Sequence, residues 1–105
     1  MNYEQELEFF DEKLKHMAET FARKINDYGA TTTETFEKFG PVSMLVRMHD
    51  KLGRLDNLLG NLSKDRLVAT ESIEDTLLDL ANYALITMLE IHKHDRTLVK
   101  TETRR

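Results

Sequence analysis

The sequence predicts a small all-α protein, a bundle of three long helices and one short helix. Three observations favour this class. Apolar residues recur at spacings of three and four through most of the 105 residues, the four glycines and one proline fall at helix ends or on one helix face, and no alternating strand pattern occurs. A chain of this length supports one hydrophobic core, so we expect a single helical domain over residues 1–105.

The first predicted helix covers residues 2–28. Asn2 is a candidate N-cap, with Gln5 three residues later, and Gly29 is suited to the left-handed position that ends a helix. Between them an apolar stripe about 80° wide runs along one helix face. Its members are Tyr3, Leu7, Phe10, Leu14, Met17, Phe21, Ile25 and Tyr28.

A short second helix and a long third helix are predicted next. Thr31 and Glu34 have the spacing of a capping box for a helix over residues 33–39, which Gly40 and Pro41 stop. Pro41 is also suited to open the next helix, because its missing N–H has no helical partner there. We expect that helix over residues 41–59, with one apolar face formed by Met44, Leu45, Met48, Leu52, Leu55 and Leu59.

The last predicted helix covers residues 70–93, follows a polar connection over residues 61–68, and is capped by Thr70 or Ser72. Its apolar residues cover so wide an arc that one short chain has difficulty covering them. We therefore expect a homodimer or tetramer that completes the bundle; the alternative is a monomer with Tyr83 and Ile86 partly exposed. Residues 94–105 form a basic tail that we expect to fray.

Composition excludes several classes of function. The absence of cysteine excludes disulfides, thiolate zinc ligands and a thiol nucleophile. The balance of 19 acidic against 15 basic residues disfavours a broad nucleic-acid surface. The acidic N-terminus and the lack of a long apolar run indicate that a signal peptide and a membrane span are absent. The lack of cysteine fits a reducing cytoplasm, where we expect the protein.

An acidic column on the last predicted helix is the sharpest anomaly. Glu71, Asp75, Asp79 and Asn82 share one helix face, so the three carboxylates among them repel one another. A hard cation such as Mg²⁺ would offset that repulsion, since it prefers carboxylate oxygens. The alternative is that acidic residues favour the first turn of any helix, which explains Glu71 and Asp75 well but Asp79 poorly.

A basic stripe on the third predicted helix is the natural counterpart of this column. Arg47, Lys51 and Arg54 have the spacing to grip a triphosphate, and Asp50 lies among them. Because the stripe is set nearly opposite the apolar face of the same helix, the sequence alone favours a solvated face laced by ion pairs. Phosphate binding requires that this side face a cleft or another subunit.

The end of the first helix is a third candidate. Lys24, Asp27 and Tyr28 place a cation, a carboxylate and an aromatic ring together, and a base could stack on Tyr28. The alternative is that Tyr28 simply ends the core stripe before the Gly29 stop. The four histidines, which we interpret as offering no ligand set, are His16, His49, His92 and His94.

These motifs, taken in order, resemble the nucleotide modification associated domain family, first type. The matching strings are Lys24-x-x-Asp27-Tyr28-Gly29, Phe36-x-x-Phe39-Gly40, Arg47-x-x-Asp50-Lys51-x-x-Arg54 and the stretch from Glu71 to Tyr83. The resemblance covers roughly residues 20–91 and implies a nucleotide-related role in bacteria or their phages.

More distantly, the chain is similar to the all-α nucleotide pyrophosphohydrolases of the MazG and dUTPase type. That likeness implies Mg²⁺-dependent cleavage of a nucleoside triphosphate to the monophosphate and pyrophosphate, with Asp75 and Asp79 in the metal-holding positions. The acidic spacing of four differs from the three of those enzymes, and the preceding helix offers Arg47, Lys51 and Arg54 in place of paired glutamates.

Three hypotheses follow. In the first, the chain is a Mg²⁺-dependent phosphohydrolase of a nucleoside triphosphate or modified deoxynucleotide. The second is a binding module with the same pocket and no turnover, such as a phage protein that sequesters a nucleotide signal or accompanies base-modifying enzymes. The third is a structural oligomer in which the acidic column of one subunit pairs with the basic stripe of another.

The roles under the first hypothesis divide among the three candidate groups. Asp75 and Asp79, helped by Glu71, bind Mg²⁺, and Asp50 orients or deprotonates water. The cations Arg47, Lys51 and Arg54 neutralise phosphate. The residues expected to contact the rest of the substrate are Lys24, Asp27, Tyr28 and Asn82.

Overall fold

The computed structural model describes residues 1–28, 31–60 and 66–95. Within these ranges the chain forms four helices and no strand: α1 (Tyr3–Tyr28), α2 (Thr31–Phe39), α3 (Val42–Gly60) and α4 (Arg66–His94). The prediction of an all-α fold with three long helices and one short helix is confirmed. None of the described helices contains a stretch long and apolar enough to cross a membrane.

The chain divides into two compact units, residues 1–32 and residues 33–105. The first unit consists mainly of α1, whose predicted N-cap is confirmed. The backbone N–H of Gln5 donates to Asn2 Oδ1 at 2.8 Å, and the backbone N–H of Asn2 donates to Gln5 Oε1 at 2.9 Å. This reciprocal pair satisfies donors that the first helical turn leaves open. The predicted stop at Gly29 lies outside the described residues.

The turn between α2 and α3 follows the prediction at Gly40 and Pro41. Gly40 has a φ of +75°, a conformation that glycine adopts without steric cost, and its N–H donates to the Phe36 carbonyl at 2.7 Å. The Pro41 carbonyl then accepts from the N–H groups of Met44 and Leu45, each at 3.1 Å. The helices themselves begin at Thr31 and Val42, so α2 is two residues longer than the predicted 33–39.

The predicted start of the last helix was wrong. We expected a polar connection over residues 61–68 and a cap at Thr70 or Ser72, but α4 begins at Arg66 and includes both. The stretch from Arg66 to Ala69 contains no helix breaker, and Arg, Leu and Ala favour helix. The helix also includes His94, and the Asp95 N–H donates to the Ile91 carbonyl at 2.9 Å. The rest of the expected connection, residues 61–65, and the tail from residue 96 lie outside the described residues.

The core of the second unit lies where α3 packs on α4, the most extensive contact between two helices. Met44, with 1% of its surface exposed, and Leu55, with 8%, are the buried apolar residues of α3. Half of the apolar face predicted for this helix is nevertheless exposed: Leu45 at 61%, Leu52 at 51% and Leu59 at 56%. The apolar arc of α4 is also incompletely covered, so oligomerisation stays a prediction.

We predict that Met44→Ala lowers the free energy of unfolding by about 2–4 kcal/mol, because a large buried side chain leaves a cavity. Met88→Ala is the matched control, since Met88 is 67% exposed on α4; we expect a change within about 0.5 kcal/mol. Urea unfolding followed by circular dichroism measures both. Equal effects of the two variants would contradict the packing described here.

Candidate functional site

The three cations of the basic stripe on α3 contact α4. The Arg47 guanidinium lies 5.9 Å from the centroid of the Tyr83 ring, and Arg54 Nε donates to Thr76 Oγ1 at 3.2 Å. Between them, Lys51 Nζ lies 3.2 Å from Asp79 Oδ2. Arg47 and Arg54 are exposed, as expected for a solvated face, but the stripe contacts α4 and is not laced only by ion pairs within α3.

The three contacts share one antiparallel register. From Arg47 to Lys51 to Arg54 the chain advances by four and then three residues, while the partners run backwards along α4 from Tyr83 to Asp79 to Thr76 by the same steps. Steps of four and three keep side chains on one face of a helix. One edge of α3 thus runs alongside one edge of α4. We call these six residues the charged seam.

The sequence did not reveal which side of α3 packs on α4, because the apolar face of this helix is wider than the part of it that is buried. Met44, Lys51 and Leu55 lie within about 40° of one another around the helix axis. Met44 and Leu55 are buried, and Lys51 between them keeps its ammonium at the edge, where it meets Asp79. Lysine often covers an apolar contact with its stem while its charged end stays near water.

Thr76 forms the buried end of the charged seam. Its hydroxyl donates to the Ser72 carbonyl at 2.7 Å and accepts from Arg54 Nε, and only 3% of the residue is exposed. Bonding to a carbonyl one turn back satisfies a threonine hydroxyl inside a helix. Because the hydroxyl oxygen can still accept a hydrogen bond, it holds the Arg54 side chain of α3 against α4. Sequence reasoning did not single out Thr76, although its spacing to Asp79 and Tyr83 is regular.

Lys51 compensates one member of the acidic column directly. The side chains of Lys51 and Asp79 are 27% and 34% exposed, so water still reaches the pair. Glu71 and Asp75, the other carboxylates of the column, are exposed on α4. In the described ranges, no three His, Cys, Asp or Glu side chains are grouped closely enough to hold a metal ion.

The other predicted site residues are divided between the two units. In the second unit, Asp50 is exposed on α3 and Asn82 is buried on α4, with 5% of its surface exposed. In the first unit, Lys24 is half-buried near the end of α1. Asp27 and Tyr28 belong to α1, but their side chains lie outside the described residues. The candidate site formed by α3 and α4 lies within the second unit.

A second polar cluster, which sequence reasoning missed, surrounds Glu90 near the end of α4. Glu90 is 3% exposed; the Thr33 hydroxyl donates to its Oε1 at 2.8 Å, and Lys93 Nζ lies 3.2 Å from the same oxygen. His94 Nε2 lies 3.2 Å from Glu90 Oε2, and its ring stacks on Phe36 at 5.2 Å between centroids. This cluster ties α2 to α4.

The electrostatics of this cluster favour the charged form of Glu90. Burial raises the pKa of the Glu90 carboxyl, but the hydrogen bonds from Thr33 and Lys93, the charge of Lys93 and the contact with His94 together hold that pKa below its ordinary value. The i, i+3 and i, i+4 spacings to Lys93 and His94 were visible in the sequence. The contact with Thr33, 57 residues away, was not.

The fold and the charged seam define a small all-α protein in which three cations of one helix meet a carboxylate, a hydroxyl and an aromatic ring of the next. Residues 24–91 match the family described as nucleotide modification associated domain 1, and the chain belongs to that family. The match includes the whole of α2 and α3 and most of α4. Searches of curated proteins and of solved structures give no significant match.

We predict that Glu90→Gln lowers the free energy of unfolding by about 1–3 kcal/mol at neutral pH, because Thr33, Lys93 and His94 lose a charged acceptor. Since the folded pKa of Glu90 lies below its ordinary value, its stabilisation is present above the unfolded pKa and is lost as pH falls through the folded pKa. Chemical unfolding across the acidic range measures this loss.

Glu37→Gln is the control for that measurement, because Glu37 is an exposed carboxylate on α2. The Glu90→Gln protein should lose less stability on acidification than the wild type, and the Glu37→Gln protein should keep the wild-type pH dependence. Identical acid profiles for the wild type and Glu90→Gln would contradict the assignment.

Proposed function

We propose that this protein binds a nucleotide and that the charged seam holds its phosphate groups. One observation carries the proposal: Arg47, Lys51 and Arg54 reach α4 in a single register, which aligns three cations along one edge. Membership of a nucleotide modification associated family makes a nucleotide the natural anion for such an edge. We place this activity in the cytoplasm of a bacterial or phage-infected cell.

The two arginines are suited to phosphate. Both are exposed, and in the part of the chain that the structure describes neither is paired with a carboxylate. The contact of Arg47 with a ring face and of Arg54 with a single hydroxyl leave further N–H donors for a ligand. Guanidinium groups bind phosphate oxygens through two parallel hydrogen bonds.

Lys51 can exchange its partner. A partly exposed ion pair contributes about 0–1 kcal/mol, so a phosphate group of higher charge competes well for Lys51. The exchange would release Asp79 toward the ligand side of the seam. The sequence-based assignment of a base or sugar contact to Asn82 stays a prediction, and so, separately, do the substrate contacts assigned to Lys24, Asp27 and Tyr28 in the first unit.

The finer part of the proposal is Mg²⁺-dependent hydrolysis of a nucleoside triphosphate or modified deoxynucleotide to the monophosphate and pyrophosphate. Proteins bind Mg²⁺ through one or two carboxylates together with substrate phosphates, so a complete protein cage is not required. Asp75 and Asp79 lie one turn apart on α4 and fit this pattern, with Glu71 one turn before them. Bound Mg²⁺ would neutralise charge on the phosphates.

Asp50 is the proposed general base for this hydrolysis. It is exposed on α3, next to Lys51 in sequence, so an attacking water is accessible to it. If the protein does not hydrolyse the nucleotide, the same cations would still bind its phosphates, as in the hypothesis of a non-catalytic binding module. The structural hypothesis is less favoured, because Lys51 and Asp79 already pair within one chain.

We predict that Arg54→Gln weakens nucleotide binding about tenfold, which equals about 1.4 kcal/mol, because it removes a charged hydrogen bond to phosphate. Calorimetric titration with deoxynucleoside triphosphates and Mg²⁺ measures the dissociation constant. Lys38→Gln is the control: it also removes one charge, but Lys38 lies over the Phe39 ring on α2. Equal weakening by both variants would contradict the phosphate site and indicate unspecific charge attraction.

We predict that Asp79→Asn abolishes turnover while nucleotide binding persists, because a neutral amide is a poor Mg²⁺ ligand. Chromatography of the products, with and without Mg²⁺, measures monophosphate and pyrophosphate. Glu74→Gln is the control, since Glu74 is an exposed carboxylate on α4 outside the acidic column. Turnover by Asp79→Asn at the wild-type rate would contradict the metal assignment. If the wild-type protein binds the nucleotide but releases no products, the non-catalytic binding module is the remaining hypothesis.

A further inference from the structure

The side of α3 that points away from α4 carries an exposed seam of its own. Residues seven apart differ by only about 20° around a helix, so three rows of them lie side by side there. The first row is leucine throughout, and all three leucines are more than half exposed. The rows, which we call the outward seam, are Leu45, Leu52 and Leu59; Val42, His49 and Asp56; and Val46, Gly53 and Gly60.

We propose that the outward seam binds a second copy of this chain, with the two α3 helices antiparallel about a two-fold axis beside Leu52 and Gly53. In a two-fold interface the same surface is used twice, so each residue on one side needs its complement on the other side of the axis. The inference is independent of the proposed nucleotide function, because it concerns the opposite edge of α3.

The leucine row meets this requirement. Leu45 and Leu59 lie at equal distances on either side of Leu52. In the antiparallel pair, Leu45 of one copy therefore meets Leu59 of the other, and the two copies of Leu52 meet at the axis. The pairing removes from water three side chains per copy that are 51–61% exposed in the single chain. Burial of that apolar surface drives the association.

The middle row supplies hydrogen-bond complementarity, because an imidazole N–H donates to a carboxylate whether the ring is neutral or charged. His49 precedes Leu52 by three residues and Asp56 follows Gly53 by three, so each histidine of the pair faces the aspartate of the other copy. Both residues are exposed in the single chain. The contact occurs twice by symmetry, and it specifies the antiparallel direction, because a parallel pair would place histidine against histidine and aspartate against aspartate.

The third row allows close approach. Gly53 lies in the middle of α3, where glycine is unfavourable, and apart from the adjacent backbone of α3 and its chain neighbours no atom lies within 4 Å of a Cβ built at that position. Nothing inside the single chain therefore requires a glycine there. At the two-fold axis the absence of a side chain lets the two helix backbones approach each other. The residue that disfavours the isolated helix thus has a function in the pair.

Cysteine cross-linking tests the geometry, and the natural chain contains no cysteine that would interfere. Leu52→Cys places its thiol beside the axis, so oxidation should yield a disulfide-linked dimer. Leu45→Cys is the matched control, because its two copies would lie roughly 21 Å apart, far beyond disulfide reach. A mixture of Leu45→Cys and Leu59→Cys proteins should cross-link with each other.

Sedimentation of the full chain tests the association itself. We expect a dimer, twice the 12.3 kDa of one chain, that becomes monomeric in Leu52→Glu while circular dichroism shows an unchanged helix content. His49→Asp should weaken dimerisation about tenfold, and the double exchange His49→Asp with Asp56→His should restore it. Gly53→Ala should raise the helix content of the monomer and weaken the dimer.

Three results would overturn the proposal. The first is a monomer at every soluble concentration, which would leave the outward seam to a different protein. The second is a dimer that Leu52→Glu leaves intact, and the third is cross-linking of Leu45→Cys with itself as efficiently as Leu52→Cys. The proposed nucleotide site lies on the opposite edge of α3. If dimerisation is not found, the nucleotide proposal can therefore still be tested by itself.

Discussion

The antiparallel register between α3 and α4 decides where the cations of the candidate site lie. Met44 and Leu55 are the buried apolar anchors of α3, and helix periodicity then places Lys51 between them. From that position Lys51 reaches Asp79. One turn before it Arg47 reaches Tyr83, and one turn after it Arg54 reaches Thr76. The packing of two helices therefore assembles the cations of the candidate site along one edge.

The ion pair in the charged seam orients side chains more than it raises the free energy of unfolding. The contact between Lys51 and Asp79 is partly exposed, and pairs of this kind contribute about 1 kcal/mol or less. The buried cluster at Glu90 differs, since its carboxylate is almost removed from water and accepts from several groups. The stable cluster joins α2 to α4, while the weaker pair lies where an anionic ligand can compete for the lysine.

Much of the fold was predictable from local chemistry. The spacing of apolar residues gives four helices, and the ends near Asn2 and Gly40 follow from a capping side chain and a left-handed glycine. The start of α4 was misjudged because polar residues before Arg66 were interpreted as a connection, although the four residues from Arg66 to Ala69 are compatible with helix. Boundaries without a proline or glycine are poorly marked in a sequence.

The candidate site was only partly predictable. The residue types and spacings of the basic stripe and acidic column were visible, but their meeting depends on which side of α3 packs on α4. The apolar stripe of α3 is wide, and the apolar arc of α4 is wider, so periodicity alone does not select a contact face. The packed face is displaced toward Lys51, which leaves Leu45, Leu52 and Leu59 exposed. Contacts between distant residues, such as Thr33 and Glu90, carry no local signal.

Nucleotide phosphate is proposed to bind at the edge where α3 meets α4. The most direct test is a titration of isotope-labelled protein with a deoxynucleoside triphosphate, in which amide chemical shifts are followed residue by residue. We expect saturable shifts concentrated in residues 47–54 of α3 and 75–83 of α4. Saturable shifts confined to other helices, or no shifts at all across a panel of nucleotides, would contradict it.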